Sequence, residues 1–84
     1  MDEVVNDLAG LVDVIVRPLV THEEDVEIVA TEQGDNHVLI EINVNEEDAG
    51  KVIGRQGRVI KAIRTLTRAC ASKSQATVDV ELID

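Results

Sequence analysis

Val52-Ile53-Gly54-Arg55-Gln56-Gly57-Arg58-Val59-Ile60 decides how this chain is read. Two apolar pairs flank a Gly-x-x-Gly turn, and each pair has the composition of a helix end packed on a core. Around the turn lies a run of cations. Seven of the eight Lys and Arg residues fall between Lys51 and Lys73, and no Asp or Glu interrupts them. All 17 acidic residues lie elsewhere, accompanied by one base, Arg17, and the formal net charge is −9. An acidic chain that gathers its positive charge around one glycine loop points to a phosphate-backbone site.

The segments on either side are helical in pattern. From Arg58 to about Ala71, Val59, Ile60, Ile63, Leu66 and Cys70 form the apolar stripe expected to face inward, leaving Arg58, Lys61, Arg64, Thr65 and Arg68 outside. Upstream, Asn45 followed by Asp48 resembles an N-cap arrangement opening a short helix that runs through Ile53. Val38, Ile40, Ile42 and Val44 alternate in a strand, and Leu39 makes it apolar enough to be central. Val26, Ile28 and Ala30 mark an earlier strand across the Gln33-Gly34-Asp35-Asn36 turn, so the two should form a hairpin. Asp2 to about Arg17 carries Val4, Leu8, Leu11, Val12 and Ile15 at helical spacing and stops near Pro18. Beyond the Ser72-Lys73-Ser74 turn, Val78, Val80 and Leu82 alternate with Thr77, Asp79 and Glu81 in a last strand.

The predicted order is therefore α-β-β-α-α-β in one domain, residues 1–84. Strands two and three are joined by a helical crossover and can therefore lie parallel. The expectation is an α+β fold, with a three-stranded sheet in the order first–second–third and three helices on one face. Glu27, Thr31, Glu41, Asn43, Asp79 and Glu81 would form the other, acidic and solvated face, which should repel a polyanion.

The loop has a defined chemical use. Glycine permits the tight turn and lets another backbone approach closely. The following helix starts with N–H groups that lack intrahelical partners, and its positive dipole end favours an anion. Arg55 and Gln56 at the tip add a charge and an amide donor. Lys51, Arg58 and Lys61 extend the field to neighbouring phosphates.

Several other functions find no support. Phe, Tyr and Trp are absent, which argues against modules that stack bases on aromatic rings. The loop lacks the Lys-Ser/Thr ending of a nucleotide-triphosphate loop. His22 and His37 have no paired-ligand spacing and read as surface histidines, so no metal is expected. Cys70 lies on the apolar stripe and reads as a packing residue. The carboxylates of Glu23-Glu24-Asp25 and Glu46-Glu47-Asp48 read as solvated connectors and helix caps. No enzyme and no cofactor are expected. The N-terminus has no basic region of a signal peptide, no apolar run reaches membrane-spanning length, and a lone cysteine suits a reducing, cytoplasmic setting.

The stretch Gly50 to Arg64 resembles the signature of the KH domain, and the helix and strand that precede it resemble the type II arrangement. Over nearly all 84 residues the chain is similar to small bacterial single-KH-domain proteins of the KhpA (YlqC) type. The resemblance implies a non-catalytic single-stranded RNA-binding protein, acting as an RNA chaperone or post-transcriptional regulator. Such domains grip about four nucleotides. By position, Gly54, Arg55, Gln56 and Gly57 become the backbone clamp, and Ile53 and Ile60 match the motif isoleucines. The family often carries a second base where neutral Gln56 stands. The resemblance also implies a homodimer, or a heterodimer with a larger KH protein of the KhpB/Jag type. An interaction module working mainly through such contacts is the alternative.

Overall fold

The structure, a computed structural model, describes residues 1–83. Helix α1 spans Asp2–Val16, and Pro18 lies in the 3-10 turn Arg17–Leu19 that closes it. Strands β1 (Glu27–Glu32) and β2 (His37–Asn43) follow, then helices α2 (Ala49–Ile53) and α3 (Arg58–Ser72), and last strand β3 (Thr77–Ile83). The sheet order is β1-β2-β3. The β1–β2 pair is antiparallel, with Ile28 opposite Ile42, and the β2–β3 pair is parallel, with Ile40 opposite Val80. This is the expected α+β order, and it fits a KH domain.

Alternation decides the two faces of the sheet. Val38, Ile40 and Ile42 of β2 are completely buried, as suits a central strand, and Val78 and Val80 of β3 join them. Leu8, Val12 and Val16 of α1, Val52 of α2 and Ile60 and Ile63 of α3 complete one continuous core on that face. The opposite face carries exposed Glu27, Thr31, Asp79 and Glu81, with Glu41 and Asn43 half-buried between them. His37 bridges Thr77 and Asp79 there, at 2.6 Å and 3.0 Å.

Helix α3 departs from the expected stripe. Leu66 is half exposed and Cys70 is exposed, whereas Thr67 and Ala71 are buried. Ile60, Ile63, Thr67 and Ala71 form an equally good i, i+3, i+7, i+11 row, rotated one position around the helix. A threonine is tolerated there because its hydroxyl stays inside its own helix. Thr67 Oγ1 donates within reach of Ile63 O at 2.9 Å and Arg64 O at 3.0 Å, which removes the cost of burying it. Ile63→Ala should therefore cost about 2–5 kcal/mol of stability, against less than about 1 kcal/mol for Leu66→Ala. Urea unfolding of the two variants reads the difference directly.

Candidate nucleic-acid interface

The glycine loop is built by one close approach. A Cβ on Gly54 would stand 2.4 Å from Val59 Cγ2 and 2.8 Å from Val59 N, and Gly54 already has φ +77°. No side chain fits between the end of α2 and the start of α3. Gly57 has φ +73° but ordinary space around it, the nearest neighbour of a built Cβ being Lys61 Cε at 3.7 Å. Between them Gln56 also takes a left-handed conformation, φ 57° and ψ 27°. Gly57 is the N-cap of α3 and supplies no side-chain cap. The first turn of α3 thus meets the loop with its dipole uncompensated by a capping side chain.

The outward side chains sit where the loop turns. Arg55, Gln56, Arg58 and Lys61 are exposed, and Gly54 and Gly57 are half-buried. Arg58 Nη2 donates to Gln56 Oε1 at 3.2 Å, which draws the guanidinium towards the loop tip. The stem of Lys61 passes beside Gly57. Among the described residues, Arg55, Arg58, Lys61, Arg64, Arg68 and Lys73 form no ion pair with a carboxylate. Their charge is not consumed by the described acids. Ile60 is buried, and Ile53 remains 40% exposed beside the loop.

The cationic row continues down α3 along the free edge of β3. Arg64 Nε donates to Val80 O at 3.2 Å, capping a carbonyl of this edge strand. One turn further, Arg68 lines a depression with Ser72, Thr77, Val78 and Asp79. Lys61, Arg64 and Arg68 follow helical spacing, so loop and edge strand share one positive flank.

Lys51 is placed differently. Its ammonium lies 3.0 Å from Asp48 Oδ1 and also donates to Thr21 Oγ1. Asp48 read as a solvated cap in the sequence, but it is completely buried. Its oxygens accept from the Thr21 and His22 N–H groups, each at 3.0 Å, and His22 Nδ1 lies 3.2 Å away. Asn45 caps only the 3-10 turn Glu46–Asp48, its Oδ1 accepting from Glu47 N at 2.9 Å, and α2 itself begins at Ala49 without a side-chain cap. His22 is accordingly half-buried against a carboxylate rather than free on the surface. The Thr21 N–H bond, opposed by desolvation but joined by His22 and Lys51, holds the Asp48 carboxyl well below the usual carboxylate range.

Gly54→Ala should lose about 2 kcal/mol or more through overpacking and a disfavoured φ, whereas Gly57→Ala should lose only the conformational part, about 1–2 kcal/mol. Thermal unfolding ranks them. Asp48 is depressed in the folded state, so its stabilisation is present above its ordinary pKa of 3.8 and is lost as pH falls below that value. The wild type should lose stability on acidification more steeply than Asp48→Asn, measured by denaturant midpoints from pH 5 down to pH 2.

Comparisons with known proteins identify the family. The family model described as "KhpA/KhpB, KH domain" matches residues 9–82. The chain is 46% identical over 70 residues to the "RNA-binding protein KhpA" of Listeria monocytogenes, covering 83% of this chain and 91% of that protein. It is 42% identical over 74 residues to the protein of the same name from Borreliella burgdorferi, covering 88% and 89% of the two chains. With the Bacillus subtilis protein of that name the identity is 40% over 77 residues, covering 92% and 94%. No solved structure matches.

Proposed function

From a chain that belongs to the KhpA/KhpB KH-domain family, we propose a non-catalytic protein that binds single-stranded RNA by clamping its sugar-phosphate backbone at the glycine loop. The family is one of RNA-binding domains rather than enzymes. The observation that carries the reading is the unspent charge of Arg55, Arg58 and Lys61 around a loop held open by Gly54 and Gly57. The positive end of α3 meets phosphate oxygens, and Arg55 and Gln56 reach over them, while the Gly54 and Gly57 N–H groups stay bonded to Gly50 O and Gly54 O. The strand then follows the positive flank of α3 along the β3 edge, past Arg64 and Arg68. The acidic sheet face turns it away from the opposite side. Without aromatic rings, the bases lie against aliphatic surface such as exposed Ile53, so affinity per domain is modest. A cytoplasmic RNA chaperone or post-transcriptional regulator is the role we propose for the single domain. Among the described residues no helix is long and apolar enough to cross a membrane.

One observation favours protein contact as well. Val4, Leu8, Leu11, Ala69 and Cys70 line an open groove between α1 and the end of α3. Val14 and Leu66, also on these helices, are 69% and 50% exposed. Apolar surface of this kind suits a homodimer or pairing with a larger KhpB/Jag-type KH protein. Doubling a weak site would raise avidity.

Arg55→Asp combined with Gln56→Asp should abolish RNA binding and leave the fold intact, since both side chains point to solvent. Binding by the wild type should fall with salt with a log–log slope of about −2 to −3, the value for three or four neutralised phosphates on a single strand. A flat salt response, or crosslinking by the double variant at the wild-type level, contradicts the clamp. Mass measured across a dilution series of pure protein tests the dimer.

A further inference from the structure

Helix α2 has only five residues, far too few to be stable without outside support. The glycine loop nevertheless hangs directly on it, with Gly54 N–H donating to Gly50 O at 2.9 Å. Two contacts hold α2 in place. One is Val52, fully buried in the core. The other is Asp48, the only completely buried ionisable side chain among the described residues.

Asp48 directly precedes α2 but makes no side-chain cap on it. Its carboxylate reaches instead to the connector between α1 and β1. There it takes the Thr21 and His22 backbone N–H groups, 27 and 26 residues away in sequence. Lys51, one turn along α2, closes the arrangement by donating to Asp48 Oδ1 and to Thr21 Oγ1. A carboxylate holding two main-chain amides and an ammonium fixes both ends of the brace at once. It joins the α1–β1 connector to the short helix from which the loop departs.

We infer that Asp48 is a positioning residue for the RNA-contacting loop, and that Lys51 belongs to this brace rather than to the cations that touch phosphate. The inference rests on the clamp reading for its effect on RNA. Its structural half stands independently. A clamp built on a glycine turn works only if its backbone is held in place, and here that support comes from residues outside the loop. Lys51 serves the loop by compensating a buried charge, which leaves Arg55, Arg58 and Lys61 as the free cations nearest the glycines.

The test uses the full chain with Asp48→Asn, Lys51→Met and, for comparison, Lys61→Ala. Amide hydrogen exchange without RNA reads the brace, and the binding of a fluorescein-labelled single-stranded octanucleotide across a salt series reads the clamp. Asp48→Asn and Lys51→Met should speed exchange across residues 52–57 while Ile40 and Val80 stay protected. Both should weaken binding by about threefold or more through loss of loop order. Their log–log salt slopes should match the wild type, whereas Lys61→Ala should lower the slope by about 0.7, one phosphate's worth. Unchanged exchange at 52–57, or a slope for Lys51→Met reduced as far as that of Lys61→Ala, overturns the inference. If Asp48→Asn does not fold, Lys51→Met decides, because its side chain is already 49% exposed. If the wild type binds no RNA, the clamp reading fails, and the exchange data still decide the brace.

Discussion

The contact between Gly54 and Val59 sets the geometry of everything near the loop. The chain leaves α2 and must re-enter α3 with Val52 and Ile60 both committed to the core. The space left is so narrow that a methyl group on residue 54 would overlap the Val59 side chain and main chain. The turn is therefore tight, with Gly54, Gln56 and Gly57 at positive φ. Arg55 and Gln56 have nowhere to go except outward. Steric necessity inside the fold thus places a charge and an amide at the tip, and it opens the α3 N-terminus beside them.

In the proposed reading, electrostatics gives this loop its selectivity within an acidic molecule. The sheet presents carboxylates on the face away from the helices, and α3 presents cations along the edge of β3. Separation of this kind directs a polyanion to one flank, since the net charge of −9 opposes contact elsewhere. Among the described residues the acid–base pairs are Arg17 with Asp13 on α1, Lys51 and His22 with buried Asp48, and His37 with Asp79 on the sheet, and none of them takes a cation of α3. Pairing consumes charge where it supports the fold and leaves it free along α3.

Much of this was legible in the residues. The alternation of Val38, Ile40 and Ile42 identified the central strand, and the helical crossover after Asn43 allowed a parallel partner, as found. The glycine loop and its cations announced themselves by local pattern. What stayed hidden depended on partners distant in sequence or on local satisfaction of a polar group. On α3 two rows of residues fit the helical period. Hydrophobicity favoured Leu66 and Cys70, but Thr67 is buried because its hydroxyl finds carbonyls in the preceding turn. Asp48 stood in an acidic run that suggested solvent, while its ligands lie at Thr21 and His22. Lys51 read as one more cation in the row, since nothing nearby in sequence reveals a buried carboxylate. Arg64 likewise bonds a strand 16 residues later.

Amide chemical-shift mapping with a short single-stranded RNA decides where the strand lies. Shifts should concentrate on Gly54 through Lys61 and continue along the β3 edge near Val80, while Glu27, Glu41 and Glu81 stay still. Shifts confined to the α1–α3 groove or to the acidic sheet face, with the loop amides unmoved, would contradict the clamp.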